Sequence, residues 1–106
     1  MTEDLIQSRK KICEDIDEKI LIDLDIVYNK FDLPKSRICE EAIRYVLKNK
    51  IKPIKKIAAR DDITLTINLN LWEEFKSYAK MYDYKIVHLL ETGLRYTLKK
   101  YKNKII

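Results

Sequence analysis

Glycine is nearly missing from this chain, with one in 106 residues, and there are only two prolines. That scarcity excludes the glycine-rich loops that cradle phosphates, leaves little material for long loops, and predicts a mainly helical domain. The two cysteines, Cys13 and Cys39, are 26 residues apart, and His88 is the only histidine. They are too few for a zinc site or a disulfide framework, so no metal or cofactor is expected and the setting reads as reducing and intracellular. No apolar run approaches the roughly 18 residues that span a bilayer, so no membrane association is expected. The start, Met1-Thr2-Glu3-Asp4, is acidic and lacks the basic flank and apolar stretch of a secretory signal. His88, set between Val87 and Leu89, has no evident acid–base partner and reads as a surface residue. With no nucleophile elbow or paired-carboxylate motif either, the chain is not expected to be an enzyme.

Charge is abundant: 37% of residues are charged, 46% are hydrophobic, and the net charge is +5. The balance is uneven along the chain. Residues 1–32 hold nine acids against five bases, residues 33–60 two against nine, and residues 61–106 six against eight. A basic middle is what a polyanion-binding surface requires, although a lysine-rich solvated surface has the same composition. Ile63-Thr64-Leu65-Thr66-Ile67 alternates branched apolar residues with hydroxyls, the period of a strand with one dry face and one wet face. Thr64 and Thr66 would point outward, either as plain surface residues or toward base edges in a major groove wide enough for a two-stranded ribbon.

Sliding residues 6–48 by 51 superposes ten identities without a gap, among them Arg9 on Arg60, Glu40 on Glu91, Arg44 on Arg95 and Tyr45 on Tyr96. Roughly three would arise by chance over such a span, so the chain reads as two copies of one unit. In the second copy, Asn68 or Asn70 caps a helix carrying Leu71, Trp72, Phe75, Tyr78, Ala79 and Tyr82 at three- and four-residue steps. A turn follows at Asp83, and a second helix runs from about Lys85 to Lys102. Gly93 in its buried face suits a close helix crossing. In the first copy, Ile12–Ile16 is the strand and Asp17 the cap. A helix then runs through Ile20, Leu24, Val27 and Tyr28 to Phe31, and Asp32-Leu33-Pro34 makes the turn. Pro34 is placed at the start of the next helix, where its missing N–H is no loss. Glu14 and Asp15 leave an alternative in which residues 12–16 stay helical and the chain is an all-helical bundle.

The order strand, helix, tight turn, helix in about forty-five residues resembles the ribbon-helix-helix family of DNA-binding regulators. The stretch Leu33-Pro34-Lys35-Ser36-Arg37-Ile38-Cys39-Glu40-Glu41-Ala42-Ile43-Arg44 carries the resemblance best, together with Ile63–Ile67 and the following Asn-Leu-Asn. A tandem copy in one chain is similar to regulators reported from archaeal viruses. The resemblance implies a mainly α fold with a short two-stranded antiparallel β-ribbon, arranged as a tandem ribbon-helix-helix pseudo-dimer. Repeats would occupy 10–50 and 61–102 of one compact domain, joined by a basic linker at 51–60. It also implies a sequence-specific transcriptional regulator, such as a repressor, that inserts the ribbon into the major groove of double-stranded DNA. Bases would be met by Lys11, Cys13 and Asp15 from one strand and by Asp62, Thr64 and Thr66 from the other. Phosphates would be met at the starts of the second helices, by Lys35, Ser36 and Arg37 and by Lys85, Ile86 and Val87. The sequence departs from the family at Glu14, an apolar position there, and at Asp32 and Asp83, where the turn glycine is usual. Ile86 and Val87 stand where a basic residue and a serine are usual, so contact is expected to be asymmetric. The competing reading is a protein-binding module, antitoxin-like or an adaptor, with the acidic first copy and Ile105-Ile106 as docking features. Self-association through the tail from Lys99 to Ile106 is a further expectation.

Overall fold

The computed structural model describes residues 8–105. Its elements are β1 (Arg9–Asp17), α1 (Glu18–Phe31), α2 (Lys35–Asn49), β2 (Arg60–Asn68), α3 (Leu69–Met81) and α4 (Ile86–Lys102). The chain is therefore mainly helical, with β1 and β2 forming a two-stranded antiparallel sheet. Residues 12–16 lie within β1, which rules out the all-helical alternative. Each of β2, α3 and α4 begins 51 residues after its counterpart in the first half. Ile6, one of the repeated positions, and Ile106 lie outside the described residues.

Both strands are longer than the apolar alternation predicted, because a backbone ladder extends through polar residues as readily as through apolar ones. Asp17 and Asn68 then cap the helices that follow: Asp17 Oδ1 accepts from the Lys19 N–H at 2.9 Å and Asn68 Oδ1 from the Leu71 N–H at 2.9 Å. The ladder also closes across the halves, the Glu18 N–H donating to Ala59 O and the Leu69 N–H to Ser8 O, both at 2.9 Å. Asp32 and Asp83 occupy the left-handed region, at φ 54° and 58°, as the turn reading required. Pro34 sits one residue earlier than expected. Its ψ of 140° is extended, so it precedes the first turn of α2, and its carbonyl accepts from the Arg37 and Ile38 N–H groups.

The inner face of the sheet buries Ile12, Ile16, Leu65 and Ile67 against helical residues including Leu24, Ile38, Ile43, Phe75, Leu89 and Leu94. α1 packs chiefly on α4 and α3 chiefly on α2, while α2 and α4 pack on each other. Each first helix is thus covered mainly by the opposite half. α2 and α4 approach at Gly93, where an added Cβ would lie 2.8 Å from Val46 Cγ2 and 2.9 Å from the Ala42 carbonyl oxygen. Tyr45 and Tyr96 stack on each other at 3.8 Å with ring planes 5° apart. Two residues assigned to apolar stripes are not in the core. Tyr82 lies beyond the last turn of α3, half exposed and stacked on Tyr84, and Tyr28 lies under the Lys35 ammonium at 5.5 Å.

Candidate nucleic-acid interface

Antiparallel pairing sets Cys13 opposite Thr64, and those two residues are 51 apart. The register is therefore centred on equivalent positions of the repeat. On the outward face Lys11 lies opposite Thr66, Cys13 opposite Thr64, and Asp15 opposite Asp62, and all six are exposed. Thr64 and Thr66 are the positions the alternation turned outward, and the resemblance implied the other four. Their charge is graded along the ribbon. One end holds Arg9, Lys10 and Lys11 across from Thr66, Ile67 and Asn68; the other holds Asp15 directly across from Asp62. Like charges facing each other across a strand pair repel. Glu14 occupies the inner-face position that Leu65 fills in the second half, and it is half-buried opposite Ile63. Burial, with Asp15 adding to it, raises the Glu14 carboxyl above its ordinary value.

The ends of the ribbon are held by two carboxylates that the repeat had marked without showing their use. Glu40 Oε2, on α2, accepts from the Asn68 N–H at 2.8 Å and pairs with Arg9 at 3.1 Å. Glu91 Oε2, on α4, accepts from the Asp17 N–H at 2.8 Å and from Arg60 Nε at 2.9 Å. Each glutamate thus ties the end of one strand to the start of the other. The second tie is the deeper. Glu91 is fully buried, and its Oε1 accepts from Arg60 Nη2 at 2.9 Å and faces Arg95 Nη2 at 3.6 Å. Arg95 also reaches Asp17 Oδ2 at 3.1 Å. Burial alone would raise both acids, but Arg60 and the Asp17 N–H hold Glu91 below its ordinary value. The Lys19 N–H and Arg95 do the same for Asp17. Repeated Arg and Glu positions were visible in the sequence, but nothing local said that they meet.

The two helix starts assigned to phosphate differ. At α2, Lys35 forms an ion pair with Asp25 of α1, Ser36 is half-buried, and Arg37 is exposed. At α4, Lys85 is the exposed residue preceding the first turn, and Ile86 and Val87 pack against the core. Lys85, Val87 and His88 line one depression with Cys13, Glu14, Asp15 and Arg60, so the start of α4 adjoins the acidic end of the ribbon. His88 is half-buried there rather than a plain surface residue, and burial followed by the charge of Arg60 lowers its pKa. Neither helix start has a capping side chain. The first N–H groups of a helix have no intrahelical partner and carry the positive end of its dipole.

Among the described residues no group of three or more His, Cys, Asp and Glu side chains is placed to hold a metal ion, and no helix is long and apolar enough to cross a membrane. Both cysteines are free: Cys13 is exposed and Cys39 is buried, with burial, reinforced by Glu40, pushing its thiol up to about 12. No protein-family model matches the chain, and no curated protein or solved structure does either.

Proposed function

We propose that this chain is a non-enzymatic, intracellular regulator that binds double-stranded DNA, laying the β1–β2 ribbon into the major groove in the manner of ribbon-helix-helix proteins. The two halves would serve as the two subunits of a pseudo-dimer. The observation that carries the reading is the exposed outward face of the ribbon, six side chains on three cross-strand pairs centred on Cys13 and Thr64. A two-stranded ribbon fits the major groove, and threonine hydroxyls and methyls suit base edges there. The N–H groups opening α2 and α4, with Arg37 and Lys85, would fix the position on the backbone.

The ribbon's charge gradient makes this contact one-sided. Arg9, Lys11, Thr64 and Thr66 would approach DNA most closely. Asp15 and Asp62 would accept from a cytosine amino group or hold that end away from phosphate. One molecule therefore need not prefer a palindrome. Selection from random genomic fragments, followed by footprinting, tests this. Thr64→Ala/Thr66→Ala should lose preference for the selected site while keeping salt-dependent nonspecific binding. Unchanged affinity and selectivity in that variant would refute groove reading by the ribbon.

A protein-binding role has its own support in α1, where Ile22 and Ile26 lie one turn apart and are 59% and 43% exposed. Failure of any genomic fragment to shift, together with loss of partner capture by Ile22→Ser/Ile26→Ser, would favour that role.

A further inference from the structure

We propose that a groove beside the linker, separate from the ribbon's outward face, binds a small molecule with an apolar or aromatic body and an anionic head. The groove has a volume of about 590 Å³, within the range that holds drug-sized ligands. Its apolar walls are the stacked rings of Tyr45 and Tyr96 together with Ile51 and Ile54 of the linker. Thr92 and the cations Lys52, Lys56, Arg95 and Lys99 complete it, and no acidic residue lines it. Charge complementarity therefore selects an anion, while the tyrosine and isoleucine surfaces select a body that prefers to leave water.

The walls are built before any ligand arrives. The Ile54 N–H donates to Thr92 Oγ1 at 2.8 Å, that hydroxyl donates to the His88 carbonyl at 2.8 Å, and Tyr78 Oη donates to the Ile51 carbonyl at 2.7 Å. These bonds strap the linker to α3 and α4. Arg95 is oriented from behind by Asp17 and Glu91, and its Nη1 is buried with no hydrogen-bond partner among the described residues. Because Arg95 also holds Asp17, where β1 meets α1, an anion drawn to it would act on the end of the ribbon.

The test uses the full chain and two fluorescent probes of similar body, 8-anilinonaphthalene-1-sulfonate and the uncharged N-phenyl-1-naphthylamine. Saturable binding of one sulfonate probe per chain is expected, about tenfold or more tighter than the uncharged probe. Lys52→Glu/Lys99→Glu, both exposed, should weaken the sulfonate by about tenfold or more while leaving the uncharged probe and the melting temperature nearly unchanged. Ile54→Asp should weaken both probes. The proposal is overturned by the absence of saturable sulfonate binding, by equal binding of the two probes, or by insensitivity to the charge reversal. Displacement of the sulfonate by polyglutamate more readily than by decanoate would also overturn it, making the groove a docking site for acidic protein. None of these readouts involves DNA, so failure here leaves the ribbon proposal untouched.

Discussion

Glu40 and Glu91 stand at equivalent places in α2 and α4, and each ties a strand end to an arginine, but their surroundings differ. Glu40 meets one arginine whose side chain is 40% exposed. Glu91 is fully buried among Arg60, Arg95 and the Asp17 N–H. The cause lies at one repeated position. The cap of α1 is Asp17, which draws Arg95 inward, whereas the cap of α3 is the uncharged Asn68 and Arg44 stays exposed. A one-charge difference at a helix cap thus adds a second arginine to the ion pair of the second half. The ribbon shows the same divergence, with Glu14 in the place of Leu65 and Asp15 in the place of Thr66.

The largest expected effect comes from removing the two glutamates separately. Glu91→Ala leaves Arg60 without its carboxylate and the Asp17 N–H without its acceptor, and should cost about 3–5 kcal/mol in urea unfolding. Glu40→Ala should cost only ~1–2 kcal/mol, because water reaches Arg9. Equal losses would erase the distinction between the halves. Acid sharpens it further. Asp17 and Glu91 titrate below their ordinary values when folded, so their contribution is complete above the unfolded carboxylate pKa of about 4 and is lost as pH falls through the lower folded values. Acid unfolding should begin below about pH 4 and be shallower in Glu91→Gln.

Next comes the helix crossing. Gly93→Ala gains about 1 kcal/mol of helix propensity. Its Cβ, however, would meet the Ala42 carbonyl oxygen at 2.9 Å, and that backbone atom has little freedom to move aside. A net loss of about 1–2 kcal/mol is expected. A variant more stable than the parent would show that the helices part easily. Glu14→Leu, which copies the second half into the first, should raise the melting temperature by roughly 5 °C, equivalent to about 1 kcal/mol. The smallest effect belongs to the outer face, where Asp15→Asn/Asp62→Asn should strengthen nonspecific DNA binding a few-fold at low salt. No change there would mean that the acidic end of the ribbon does not approach phosphate.

Several of these elements could be read before any coordinates. Alternation at Ile63–Ile67 marked the strand, the 51-residue offset fixed where its mate lay, and Asp32 and Asp83 marked the turns. Tyr28 and Tyr82 were misplaced because helical spacing gives direction around an axis but not the width of the face a neighbour covers. The outward direction of Thr64 and Thr66 followed from parity, since a strand allows only two faces, whereas Lys11, Cys13, Asp15 and Asp62 were named through the family resemblance. The state of Lys35 did not follow, because its neutralisation by Asp25 depends on how α1 lies against α2.

Local covalent order decided where strands, caps and turns fall, because those depend on residues within a few positions of one another. It also carried the 51-residue offset at which the elements recur. Only the tertiary structure decided that the first helix of each half is buried chiefly by the other half, and that Cys13 and Thr64 centre the ribbon. The joining of Glu40 and Glu91 to strand ends up to 74 residues away was likewise settled only by packing. Such contacts depend on the relative placement of whole elements, which no local spacing specifies.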